Sequence, residues 1–223
     1  MTKITEQATA AGRAIETDSF DIIDAEAGAR AGYTAEEWPL VRRMIHASGD
    51  FDFNGLSAFH PDAVASGVAA VLKGGTNIVA DVEMIRAGLS APRLEHFGMT
   101  VRRFIADADV IESARAEGST RAVQAMRKAH REGCLDGAIV GIGNAPTALL
   151  EVIRLVREEG VKPALIVGIP VGFVAAAESK DALMTLDEVP WISVRGRKGG
   201  STLVVAAIHA LLALAEAGRC AHG

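Results

Sequence analysis

From residue 75 onward, short β-rich runs alternate with stretches of helical periodicity, and this alternation constrains the fold more than any other feature. The runs are NIVADV at 77–82, TVRRFI at 100–105, AIVGIG at 138–143, ALIVGI at 164–169 and WISVRG at 191–196. Strands separated by helices of this length pair in parallel through right-handed crossovers. The later runs are almost wholly apolar, as strands covered on both faces are. The expectation is a doubly wound α/β fold: a mainly parallel five-stranded sheet flanked by helices, in one domain over 1–223. Residues of the AVILMFWYC set make up 49% of the chain, yet aromatics only 4%, so aliphatic side chains must fill the core.

The first 75 residues read differently, as a helical layer against the sheet. TAEE at 34–37 has the form of a capping box, with the Thr34 hydroxyl taking an amide proton and Glu37 reaching back. Trp38, Val41 and Ile45 then share an apolar face, while Arg42, Arg43 and His46 lie towards the other side. Gly49 suits the C′ position. A second helix is expected from about Asp62 to Lys73, with Pro61 at its start and Gly74 at its end.

Open parallel sheets hold ligands beyond the carboxyl ends of their strands, where helix N-termini converge. Three segments fit that position. GIGNAPTALLEVI is a strand, a glycine turn and a helix, with Asn144 as N-cap and Pro146 near N1. Its glycines break the dinucleotide pattern, since Pro146 stands where the third glycine belongs; the alternative is a tight turn needing small residues. VRGRKGGSTLVVAAI passes through Gly199 and Gly200 and opens a helix at Ser201 or Thr202. Backbone amides there, with Arg195, Arg197 and Lys198, form either an anion site or a solvated basic turn. GIPVGFVAAAESKDAL carries Glu178, Ser179 and Lys180 after a Pro/Gly turn, and suits a packing role or a ligand role equally.

A formal charge of −5 argues against a generic nucleic-acid binder. No apolar run is read as long enough to span a bilayer, and the N-terminus lacks a signal-peptide layout, so the expected location is cytoplasmic. Cys134 and Cys220 offer neither a disulfide framework nor metal-ligand spacing. His60, His96, His130, His209 and His222 have no companion at ligand spacing, so no metal site is expected.

Together, GNAPTAL, PVGFVAAAESKDAL and RGRKGGS, with VRRMIHASGD, SFDIIDAEA and DVEMIRAGL before them, resemble the precorrin-8X methylmutases of corrin (vitamin B12) biosynthesis. The similarity spans essentially the whole chain. It implies an α/β homodimer with the active site at or near the subunit interface. It also implies an isomerase that moves a methyl group from C11 to C12 of a tetrapyrrole, giving hydrogenobyrinic acid without a dissociable cofactor. The family's catalytic histidine corresponds to His46, its substrate-contacting serine to Ser19, and a threonine and an arginine of its pocket to Ser90 and Arg121. Departures are Asp18 for a usual arginine, Ser90 for threonine, Ala91 for arginine and His209 for asparagine.

The residues suit such a substrate. A macrocycle fringed with carboxylates needs scattered cations and helix N-termini, here Arg121, Arg195, Lys198, the amides at Gly199 and Ser201, and Asn144. For steering, Arg42, Arg43, Arg121, Arg195 and Lys198 must cluster in space. A methyl shift around a conjugated ring needs no nucleophile and no metal, only a group that perturbs the π-system by donating a proton or hydrogen bond, for which histidine is suited. By itself, a histidine at a helix end reads as a capping residue; the resemblance makes His46 the catalytic candidate. The rivals are a corrinoid carrier without catalysis and a nucleotide-dependent α/β enzyme. The C-terminal helix STLVVAAIHALLALAEA is apolar around most of its circumference and must be buried, within the fold or against a second copy.

Overall fold

A computed structural model describes Gln7 and residues 9–221; His222 and the Cys220 side chain lie outside the described residues. The chain opens with helices α1 (Ala10–Glu26), α2 (Trp38–Ser48) and the short α3 (Phe53–Leu56), then strand β1 (Ser57–Phe59), helix α4 (Ala63–Lys73) and strand β2 (Asn77–Ala80). Helices α5 (Glu83–Gly88) and α6 (Ala91–His96) lead to β3 (Thr100–Arg102). Helices α7 (Ala108–Ala116) and α8 (Arg121–Arg131) lead to β4 (Ile139–Ile142). The rest alternates: α9 (Pro146–Glu159), β5 (Leu165–Gly168), α10 (Ala176–Met184), β6 (Trp191–Val194) and α11 (Ser201–Ala221).

The five expected strands are β2 to β6, and their pairings with one another are all parallel. The sheet has a sixth member: β1 pairs antiparallel with β6, giving the order β1-β6-β5-β4-β2-β3. This strand is three residues long, too short to show a period of its own, and only its pairing with β6 defines it.

Side chains alternate between the two faces with the strand period. Ile78, Ile139, Leu165, Val167, Ile192 and Val194 join one apolar cluster with α2, α4, α5 and α11. Val79, Val140, Ile142, Ile166 and Trp191 join the other, with residues of α8 and α9 and Leu183 of α10.

Within the first layer, α2 packs mainly on α11 and α1 packs on α2, so these N-terminal helices reach the sheet through α11. The capping box forms as expected. The Thr34 amide donates to Glu37 Oε2 at 2.9 Å, and the Glu37 amide donates to Thr34 Oγ1 at 3.1 Å. Gly49 closes α2 in the left-handed conformation at φ 67°.

Helix α11 is, by length and composition, apolar enough to cross a bilayer, contrary to the expectation that no such run exists. The membrane test counts residues and hydropathy, and a central core helix satisfies it equally well. Two thirds of its most apolar stretch (67%) is buried in the fold, so the protomer itself covers the helix.

The strand order reverses between β2 and β4, and there the Asp81 carboxylate closes the gap. Its Oδ2 accepts the amides of Asn144 and Ala145, each at 2.8 Å, and its Oδ1 that of Gly143 at 3.2 Å. Asp81 is fully buried, and burial pushes its carboxyl above the usual range, against the amides, which favour the charged form. The expected N-cap, Asn144, is therefore displaced: Ala145 occupies the cap, and a side chain from another strand supplies the missing acceptor. Asp81→Ala should strand the three amides and cost about 3 kcal/mol of stability, at ~1–3 kcal/mol per buried unsatisfied group. Urea denaturation of the variant at neutral pH measures the loss.

Candidate functional site

At the carboxyl edge of the sheet, the turn after β4 meets the start of α11. A Cβ built on Gly143 would lie 2.6 Å from the Ser201 Cα, so only glycine allows this approach. The 195–201 loop is fixed from beneath in the same way. A Cβ on Gly199 would meet the Ile169 carbonyl oxygen at 2.5 Å, and the Gly200 amide donates to that carbonyl at 2.8 Å.

Lys180 of α10 completes the loop's support. Fully buried, it donates from Nζ to the Lys198 carbonyl at 2.6 Å, and burial pushes its pKa down to about 8. Sequence alone left this residue between packing and ligand roles; its bond to the loop gives it a structural role.

Above the loop lies a cavity of about 260 Å³ between α2, α5 and α11. Its walls include Arg43, His46, Met84, Ser201, Thr202 and His209. His46 stands in the last turn of α2 with its ring edge-on to Phe20 of α1, centroids 5.2 Å apart. The Arg42 and Arg43 guanidiniums lie over the same Phe20 ring at 4.4 and 5.2 Å. Arg42 also pairs with Asp24 at 2.6 Å and Arg43 with Glu16 at 3.0 Å, which binds α1 to α2 behind the histidine. Ser201 opens α11 and is buried, and among the described residues its Oγ has no hydrogen-bond partner.

An adjoining cavity of about 300 Å³ shares Ala47 and Thr202 with the first and is lined by Lys198 and Gly199. Lys198 is already engaged. Its Nζ pairs with Asp50 at 2.5 Å and Asp52 at 2.6 Å, and these carboxylates raise its pKa.

The other expected residues are distributed around this centre. Ser90 caps α6, and its backbone amide donates to His209 Nε2 at 3.1 Å. Exposed Asn144 follows Gly143, next to Ser201. Arg121 begins α8 and lines a different cavity, of about 520 Å³, with Arg115 and Ser119. A contact of 3.1 Å between the Thr120 and Thr147 hydroxyls ties the start of α8 to that of α9. Ser19 does not line the His46 cavity; its hydroxyl donates to the Ile15 carbonyl at 2.7 Å within α1, one residue before Phe20. Arg195 is exposed, and its amide donates to the Leu56 carbonyl at 2.8 Å.

The expected cluster of Arg42, Arg43, Arg121, Arg195 and Lys198 does not form around one cavity. Arg42, Arg43 and Lys198 each have a carboxylate partner, and Arg121 faces another cavity. His209, set aside as a metal ligand but noted as a pocket departure from the family's asparagine, lines the cavity with His46. Its spacing from His46, across the whole sheet, gave no signal of that. The nucleotide rival also falls here, because the amides that would hold a phosphate at the start of α9 are taken by Asp81. No group of three or more His, Cys, Asp or Glu suited to a metal occurs among the described residues.

The sequence pattern of the precorrin-8X methylmutase family matches residues 14–214. The chain belongs to that family. It is an enzyme of the isomerase (mutase) class, and the family serves cobalamin biosynthesis. A cobalt-precorrin-8 methylmutase of Leptospira interrogans is 51% identical over 94% of this chain and 97% of its own length. A precorrin-8X methylmutase of Sinorhizobium is 42% identical over 90% and 93%. A precorrin-8X methyl mutase crystal structure from Thermus thermophilus has the same fold, with a TM-score of 0.86 at 51% identity, covering 92% of this chain and 97% of that one.

The buried lysine beneath the loop gives a pH test of the site's scaffold. The lowered pKa of Lys180 means the charged amine is disfavoured in the fold, so its stabilising contribution is full above about 10.5 and is lost as pH falls through about 8. The stability of the wild type relative to Lys180→Met should therefore grow between these pH values, as read by paired thermal melts. A pH-independent difference would show that the amine does not titrate with folding.

Proposed function

We propose that the chain moves the methyl group at C11 of precorrin-8X to C12, giving hydrogenobyrinic acid, with the macrocycle edge entering the cavity at His46. The single observation that carries the reading is that His46, in the last turn of α2, lines this apolar cavity together with Ser201 and Thr202 at the start of α11. A cavity of about 260 Å³ takes part of a macrocycle, and the neighbouring space along Lys198 and Gly199 takes more of it. Arg121, Asn144, Arg195, Ser19 and Ser90 are proposed to serve the peripheral groups of the substrate.

The chemistry assigned to His46 follows from the reaction. The migrating methyl keeps its electrons within a conjugated system, so the protein's task is to alter that system and hold it still. A proton or hydrogen bond donated to a ring nitrogen lowers the energy of the migrating state more than that of the resting substrate, which is what acceleration requires. Arg42 and Arg43, held by Asp24 and Glu16, fix Phe20 against the imidazole and so limit where it can point. In this scheme no step uses a dissociable cofactor. Relatives carry both the metal-free and the cobalt name, so the two forms of the substrate are to be assayed side by side.

His46→Ala should lower turnover by ~10²–10⁴, the usual worth of general acid assistance, while corrinoid binding, followed by its absorption band, persists. His46→Asn separates the two roles, since asparagine donates a hydrogen bond without transferring a proton. Full turnover in the alanine variant would instead favour a carrier that holds the corrinoid without catalysis.

The protein is further proposed to act as a homodimer. Helix α11 lends this no support, because its apolar surface is spent inside the protomer. The loop before α10 does: Phe173 and Val174 are each 85% exposed, and Val171 beside them is 47% exposed and lines the Lys198 cavity. Light scattering should give twice the chain mass at micromolar concentration, and Phe173→Asp together with Val174→Asp should halve it.

A further inference from the structure

The cavity's second histidine has a task of its own. His209 lies on α11, is 4% exposed and lines the cavity with His46. Its Nε2 stands 3.1 Å from the Ser90 amide nitrogen, which can only donate, so the ring nitrogen accepts. The imidazole that fits is neutral, with its proton on Nδ1. The same residue also holds α6 itself, because the His209 carbonyl accepts from Arg93 Nη2 at 3.2 Å. A little further along, Gly88 lies so close to α11 that a Cβ would sit 2.9 Å from Val205 Cγ2. Gly88 and Met84 are the part of this segment that lines the cavity.

We propose that His209 is a positioning residue: its Nε2 lone pair anchors the α5–α6 turn to α11 and thereby sets the width of the cavity that His46 faces. Glycine contact at 88 and the hydrogen bond at 90 act on opposite sides of the same turn. Contact at Gly88 limits how near the segment comes to α11, and the Ser90 hydrogen bond, with the burial of Ile85 and Leu89 in the cluster shared with α11, limits how far it moves away. Loss of the acceptor widens the cavity and weakens the grip on whatever part of the substrate enters it. The His46 side chain, on α2 across the cavity, is not moved by that change. The effect belongs to binding and not to the chemical step, which separates His209 from His46 in kinetics.

Two variants and one measurement on the wild type test this. Nitrogen-15 NMR of the histidine side chains should give His209 Nε2 the shift of an unprotonated ring nitrogen; a protonated Nε2 overturns the proposal. His209→Leu removes the acceptor, and His209→Asn supplies a carbonyl oxygen in its place. Hydrogen exchange at the Ser90 amide should quicken about 5–10-fold in the leucine variant, as expected for losing one hydrogen bond, and recover in the asparagine variant. Only the kinetic arm rests on the proposed reaction. There KM should rise about 5–10-fold in His209→Leu with kcat within about twofold of wild type, and His209→Asn should restore it. Unchanged Ser90 exchange in the leucine variant overturns the anchor. A fall in kcat at constant KM overturns the positioning role in favour of a catalytic one. Should the wild type not turn over precorrin-8X, the proposed reaction fails while the NMR and exchange arms still decide the anchor.

Discussion

The architecture turns on one buried carboxylate. Asp81 follows β2 directly at the point where the strand order reverses, and it accepts the amides that begin α9. In many doubly wound folds that position is left to a ligand, because the amides and the helix dipole attract an anion. Here the chain supplies its own carboxyl acceptor, which joins the crossover halves of the sheet and fixes the direction of the Gly143–Ala145 turn. The turn in turn sets where Ser201 can start α11, since the two backbones touch at Gly143. The ligand space is thereby moved away from the switch point and onto α11.

Helix α11 then organises one face of the molecule. It contacts β4 and β5 on its inner side and α2, α4 and α5 around the rest. Because α2 is carried on α11 rather than on the sheet, the end of α2 overhangs the start of α11, and a cavity remains between them. His46, Ser201 and His209 belong to two helices far apart in sequence, and all three line that space. The cavity is largely apolar, with a few polar groups at its edges, which is the usual composition of a site for a large conjugated ligand.

The charges around the site are mostly committed to holding the scaffold. Asp24 and Glu16 on α1 neutralise Arg42 and Arg43, and Asp50 and Asp52 neutralise Lys198. Pairs as exposed as that of Lys198 contribute little to stability, but they fix long side chains in one orientation. Binding of an anionic ligand at Lys198 would therefore require exchange of one carboxylate for another.

The sequence by itself determined what local pattern can encode. Apolar runs of four to six residues between helical stretches specified the five parallel strands, and the capping box, Gly49 and Gly74 marked where helices begin and end. The RMIH and RGRKGGS segments drew attention to His46 and Ser201, which line the same cavity. Other features arise from contacts between distant segments. The three-residue β1 exists because β6 pairs with it, Asn144 loses the cap because Asp81 reaches the amides first, and the five cations do not share one cavity because acidic partners hold three of them. His209 stood out only as a departure from the family's asparagine, with no local pattern to place it near His46. Its place beside His46 follows from α2 resting on α11, a packing energy summed over many side chains and written in no single stretch of the chain.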